Sequence, residues 1–346
     1  MIGWRNGWVV SAALAALILF APARAAAASP ARNPTVSSAT YIKVANVSYV
    51  DSRVFFARHG FTATWAERGQ VLRLQTKSTR IDLSVDKRDV VFNGMRVLMG
   101  EPAVFRANTL YVSRIDADKL FLPILSPSSV PTPAPALRVI VIDAGHGGQD
   151  PGTQNKSYKL DEKAFTLDVA NRLRPMLVKQ GYQVVMTRTD DRFVALPMRA
   201  EIANKAGADL FISIHFNAVG GAPTVRGSET YTLTPRYQRS TGSAKRGPSD
   251  DEANPGNLND PWNSLLGYHM QTQMLSKLGS VDRGLKRARF AVLRLVNSPA
   301  VLVEAGYLSN DDEAKKIATA AYRQSLAEAL AQGVRGYAMA ISKAKK

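Results

Sequence analysis

Three short stretches are almost unbroken runs of apolar residues: Val139-Ile140-Val141-Ile142, Leu210-Phe211-Ile212-Ser213-Ile214 and Ala300-Val301-Leu302-Val303. A strand that is wet on one face alternates apolar and polar residues, whereas one apolar throughout needs cover on both faces. Helical patterns fall between and around these runs, at residues 162–179, 197–207, 263–278 and 320–340, with Pro175 placed to kink the first of them. Further strands are expected at 181–187, 226–234 and 290–293. Strands alternating with helices over residues 137–342 predict a three-layer α/β/α domain around a twisted, mostly parallel sheet.

The residues that follow those runs carry the chemistry. The first run ends in Asp143-Ala144-Gly145-His146-Gly147-Gly148, the second in His215-Phe216-Asn217 and the third in Glu304-Ala305-Gly306. In a parallel sheet these ends share one edge, which is where ligands bind in such folds. Glu162, within Asp161-Glu162-Lys163, opens the helix after the first strand and reaches the same edge. The chain has no Cys, which excludes disulfides, thiolate metal sites and thiol nucleophiles. Catalytic zinc takes three protein ligands from His and carboxylate and leaves a fourth position for water. His146, Glu162 and His215 supply that set. Zinc lowers the pKa of its water from about 15.7 toward roughly 7. A separate carboxylate must then move the proton, and Glu304 is the candidate, since a carboxylate on an otherwise apolar strand is costly as structure alone. Asn217 and Arg294 are candidates for binding substrate or polarising its carbonyl, with packing or salt-bridge roles as the alternative. Arg283, Lys286, Arg287 and Arg289 form a basic cluster, either a solvated face or a contact for anionic glycan-peptide.

The segments DAGHGG, DEK, SIHFNA and VLVEAGYLSN resemble the zinc-dependent N-acetylmuramoyl-L-alanine amidases, cell-wall hydrolases of amidase family 3. Agreement extends to Thr187-Arg188-Thr189-Asp190, to Gly227-Ser228-Glu229-Thr230-Tyr231 and to Arg283-Gly284-Leu285-Lys286, in order along residues 137–340. Phe216 and Tyr307 depart from the usual Ala and Phe, neither at an expected ligand. The resemblance implies one Zn2+ on His146, Glu162 and His215, Glu304 as acid/base, and hydrolysis of the amide between N-acetylmuramic acid and L-alanine in peptidoglycan. The alternatives are another zinc-dependent amide hydrolase or deacetylase of wall material, or a non-catalytic wall-binding protein. Residues 235–261, polar and without an apolar stripe, read as a mobile loop. A protein activator is compatible with this reading, but the sequence identifies none.

Residues 1–25 read as a secretory signal: Arg5, a 13-residue apolar run from Trp8 to Phe20, and Ala23-Arg24-Ala25. The run is short for a membrane span, so the mature chain is expected to be exported to the periplasm or cell-wall space without an integral span. Net charge is +17, and +15 once Arg5 and Arg24 leave with the signal. Outside the cytoplasm that excess suits an anionic envelope rather than nucleic acid. Residues 126–136, SPSSVPTPAPA, hold four Pro in eleven positions and read as a linker. Before it, residues 41–125 show alternating runs at 71–75, 80–85 and 89–92, an Asn93-Gly94 hairpin turn and a short helix N-capped by Asp51. This small α+β domain resembles the N-terminal domain of copper amine oxidases, copies of which are attached to exported wall proteins without copper. Its expected role is wall attachment or positioning, or that of a solubilising spacer.

Overall fold

The computed structural model describes residues 41–345. The signal reading of residues 1–25 lies outside them. The described residues fall within one compact unit. No described helix is long and apolar enough to cross a membrane.

The N-terminal part begins with β1 (Tyr41–Val44), β2 (Val47–Asp51) and α1 (Ser52–Ala57). Asp51 caps α1 by accepting from the amides of Arg53 at 2.8 Å and Val54 at 3.3 Å. A meander follows: β3 (Thr62–Glu67), β4 (Val71–Gln75), β5 (Arg80–Ser84), β6 (Asp89–Phe92) and β7 (Met95–Leu98). Asn93 and Gly94 turn β6 into β7 with φ of 50° and 84°, the paired positive values that a tight hairpin needs. β8 (Val104–Arg106) and β9 (Thr109–Ser113) join β1 and β2 in a four-stranded sheet, and α2 (Arg114–Asp116) and α3 (Leu122–Leu125) close this part.

The second part contains β10 (Val139–Ala144), β11 (Gln154–Asn155), β12 (Leu160–Asp161), α4 (Glu162–Lys179), β13 (Gln183–Met186), α5 (Leu196–Lys205), β14 (Leu210–Asn217) and β15 (Ser228–Leu233). It continues with α6 (Asp260–Leu278), β16 (Asp282–Ala288), α7 (Ala291–Leu295), β17 (Ala300–Tyr307), α8 (Asp311–Ile317) and α9 (Ala320–Ala344). Strands β13, β10, β14 and β17 lie side by side and parallel, β15 runs antiparallel to β17, and β16 runs parallel to β15. The apolar strands are covered on both faces as their sequence requires. Ile140, Ile142, Ile212 and Val303 pack with α4, α6 and α9, while Val141, Phe211 and Leu302 pack with α5 and α7.

One expectation needs correction, and two gain detail. The strand expected at 290–293 is instead β16, which ends at Ala288, and residues 291–295 are helical. Residues 235–261 are largely irregular, as a loop should be, but not featureless. They form two 3-10 turns, bury Gln238 and Asp250, and are tied to the N-terminal part by Arg88, which donates to the carbonyls of Ser240 and Thr241. The Pro-rich stretch does not set two separate sheets apart. Val130 and Ala134 pack on the second part's core, and β16 pairs with β7 through Leu285 and Val97, so eleven strands form one sheet. Leu285 belongs to the buried cluster that holds Leu83, Phe92 and Val97.

Candidate active site

The C-terminal ends of β10, β14 and β17 meet at a cavity of about 370 Å³ whose wall includes His146, Glu162, His215, Asn217 and Glu304. His146 lies just beyond β10 with φ of 60°, a left-handed conformation uncommon for a residue with a Cβ. Two buried arginines hold that turn. Arg188 donates to the carbonyls of Ala144 and Gly145, and Arg199 donates to Asp143, to the Ala144 carbonyl and to the His146 carbonyl. Glycine is required beside it, because a Cβ on Gly145 would lie 2.3 Å from the His215 ring, and one on Gly152 2.6 Å from Glu162 Oε2.

His146, Glu162 and His215 each offer one ligand atom, and these atoms lie within 4.8 Å of one another. His215 Nδ1 stands 2.9 Å from Glu162 Oε1 and 3.2 Å from His146 Nε2, and His146 Nε2 stands 3.1 Å from Glu162 Oε2. Asp150 Oδ2 lies 2.8 Å from His146 Nδ1. A carboxylate there favours a proton on Nδ1 and turns the Nε2 lone pair inward, the arrangement typical of metal-ligating histidine. Two inward ring nitrogens and a carboxylate offer more lone pairs than protons, so this donor set fits a divalent cation. Glu162 is further oriented by the amides of Thr153 at 2.8 Å and Phe216 at 2.9 Å. Burial works against its charge, but the His146 and His215 imidazoles beside it outweigh burial and hold the carboxyl well below the usual range. Burial likewise opposes protonation of His146, yet Glu162 and Asp150 raise its pKa.

Glu304 sits opposite His215 across β14 and β17. Burial, then the charges of Glu162 and Glu229, push its carboxyl well above the ordinary range, against the pull of Lys286. Its Oε2 is buried without a hydrogen-bond partner. An orphaned carboxyl oxygen beside converging metal-type donors is suited to proton transfer.

Asn217 reaches the cavity wall, whereas Arg294, on α7, is not among the residues lining it. Most of the basic cluster is paired with carboxylates rather than free to meet an anion. Lys286 pairs with Glu229, Arg287 with Asp116 at 2.8 Å and Arg289 with Asp250, and Arg283 lies 4.0 Å from Glu229. Sequence reasoning did not single out Asp150, Arg188, Arg199 or Glu229 as functional residues. The first is within hydrogen-bonding range of His146, four positions away, a spacing visible in the sequence. The others depend on partners far along the chain.

Residues 140–336 match the N-acetylmuramoyl-L-alanine amidase family, and residues 31–115 match the copper amine oxidase N-terminal domain. The chain is 33% identical over 220 residues to N-acetylmuramoyl-L-alanine amidase AmiC of Escherichia coli O6:H1, a match covering 58% of this chain and 52% of that one. It thus spans about half the length of that relative. It is also 33% identical over 200 residues to the uncharacterised protein YqiI of Bacillus subtilis, covering 58% of this chain and 84% of that one. Among solved structures, the N-acetylmuramoyl-L-alanine amidase of Clostridium difficile 630 superposes with a TM-score of 0.50 at 34% identity, over 59% of this chain and 97% of the other.

Proposed function

The chain belongs to the N-acetylmuramoyl-L-alanine amidase family, and on that footing we propose that it is an exported peptidoglycan amidase cleaving the bond between N-acetylmuramic acid and the L-alanine of the stem peptide. The observation that carries the reading is the convergence of His146, Glu162 and His215 within 4.8 Å on the cavity that Glu304 also lines. These three residues would hold a zinc ion, which when bound would supply Lewis acidity toward a carbonyl oxygen and acidify water.

The chain's own residues do the remaining work. Asp150 and the amides of Thr153 and Phe216 keep the ligand atoms in place. Glu304 accepts a proton from the attacking water and returns it to the departing alanine nitrogen. Its raised proton affinity brings it toward the range in which a carboxyl group both takes and gives a proton. Asn217 offers an amide at the cavity wall to the substrate. Leu196, Phe290 and Val292 form an apolar side of the same cavity. The N-terminal part, sharing the sheet, presents whatever wall contact it makes at a fixed place relative to the cavity.

Digestion of purified sacculi with the full chain tests the proposal. Mass analysis should find stem peptides with a free L-alanine amino terminus and glycan strands that keep their acetyl groups. Loss of acetyl groups with the peptides still attached would instead mark a deacetylase, and unchanged sacculi a binding protein.

A further inference from the structure

Glu229 is a buried carboxylate that the proposed chemistry does not use. It is 1% exposed, and on β15 it stands directly opposite Glu304 of β17. Its Oε1 accepts from Asn217 Nδ2 at 2.8 Å and from the Tyr231 hydroxyl at 2.7 Å, and its Oε2 accepts from Lys286 Nζ. Both Oε1 donors lead to the cavity. Asn217 lines it, and the Tyr231 ring packs edge-on at 5.1 Å against Phe290, which lines it too. Burial, then the charge of Glu229, raises the Tyr231 pKa, so its hydroxyl remains a donor.

An ionised carboxylate only accepts, so it dictates which end of the Asn217 amide faces it. Nδ2 turns to Glu229 and Oδ1 accepts from the Ala218 amide at 2.7 Å. The orientation follows from that chemistry and is not left to the ambiguity of an amide. Lys286 is held in turn by strand alternation. Leu285 joins the N-terminal core and Arg287 pairs with Asp116, which leaves Lys286 on the opposite face, beside Glu229.

We infer that Glu229 is a positioning residue of the amidase site proposed above, acting through Asn217: ion-paired by Lys286, it fixes the Asn217 amide so that the amide's remaining N–H is presented to substrate. The inference rests on the amidase reading, and the two fail in different ways.

The test uses the full zinc-loaded chain, N-acetylmuramoyl-tripeptide as probe, and the variants Glu229→Gln, Lys286→Met, Lys286→Arg, Asn217→Ala and Asn217→Ala combined with Glu229→Gln. Glu229→Gln, Lys286→Met and Asn217→Ala should each lower kcat/KM roughly tenfold or more, as misplaced groups do. The combined variant should be no worse than Asn217→Ala alone, because the second change acts through the first. Lys286→Arg, which keeps charge and donors, should recover most of the rate. Zinc content should hold throughout. Binding of the tripeptide to the metal-free protein should weaken in Glu229→Gln and Asn217→Ala, and no further in their combination. Additive losses, or a wild-type rate in Glu229→Gln, overturn the inference. Should Glu229→Gln fail to fold, Lys286→Met carries the test, and a wild-type rate there overturns it equally. A parent chain that leaves the tripeptide intact overturns the amidase reading instead.

Discussion

Arg287 and Asp116, 171 positions apart, form a buried ion pair in which Arg287 Nη1 donates to Asp116 Oδ1 at 2.8 Å, with side chains 2% and 0% exposed. Asp116 also accepts from the Gly100 amide and the Ser113 hydroxyl, and Arg287 also donates to Gln238. The pair fastens the N-terminal part to β16, beside the strand pairing between the two parts at Leu285 and Val97. Asp116→Ala leaves a guanidinium buried without its counter-charge and should cost about 3–5 kcal/mol. Replacing both by well-packed apolar residues should recover much of that loss. Urea unfolding followed by far-UV circular dichroism measures it. The parent chain should unfold in one transition, since one sheet spans both parts. Two transitions would mean that the parts are stable separately.

Glu304→Gln keeps the size of the side chain and removes its ability to carry a proton. Turnover of N-acetylmuramoyl-tripeptide should fall about 10²–10⁴-fold, the range for loss of a positioned acid/base. Metal content by elemental analysis should stay at that of the parent, because Glu304 is not one of the three converging ligand residues. A variant that cleaves at the parental rate would remove Glu304 from the mechanism.

The metal-type site was legible because it depends on two local facts: apolar strands that must be parallel and covered, and His or Glu at the position where each ends. Parallel register then brings His215 and Glu304 together without further information. The supporting shell was not legible. Glu229 and Lys286 are 57 positions apart, and a sequence shows two charges but not that they face one another. β16 was missed for the same reason. Arg283, Lys286 and Arg287 make it look like a solvated basic run, and only their buried carboxylate partners, Glu229 and Asp116, allow it to be a strand inside the sheet. Proline content at 126–136 indicated extended chain but carried no information about whether the parts on either side would share strands.

Asp150→Ala should weaken metal binding about 10–100-fold without unfolding the protein. Asp150 is 2.8 Å from His146 Nδ1, and its other oxygen accepts from the Gly152 amide at 3.1 Å. Removing it frees the imidazole to place its proton on either nitrogen, including the one that faces Glu162. Competition for zinc against a chromogenic chelator reads the effect directly. An affinity equal to the parent's would show that Arg199 and the backbone turn suffice to orient His146.

The pH dependence of stability should turn on two groups of opposite sense, the half-buried His269 and the buried Asp260. His269, on α6 against Gly336 of α9, has its pKa lowered by burial from 6.5 to about 4. The unfolded chain therefore binds a proton that the folded chain refuses as pH falls from 6.5 toward 4, and stability declines over that window. Asp260 has its carboxyl raised by burial from 3.8 to about 6. The folded chain holds that proton where the unfolded chain has lost it, so this contribution is present at low pH and declines as pH rises from 4 to 6. At 1.36 kcal/mol per unit the two are each worth up to roughly 3 kcal/mol and largely cancel between pH 4 and 6. His269→Gln removes one side of the balance. Relative to the parent, the variant should gain stability as pH falls from 6.5 to 4, and Asp260→Asn should shift the difference the other way below pH 6. Urea midpoints taken at half-unit steps across this range check both slopes, and parallel curves for His269→Gln and the parent would show that His269 is protonated in the folded chain as readily as in the unfolded one.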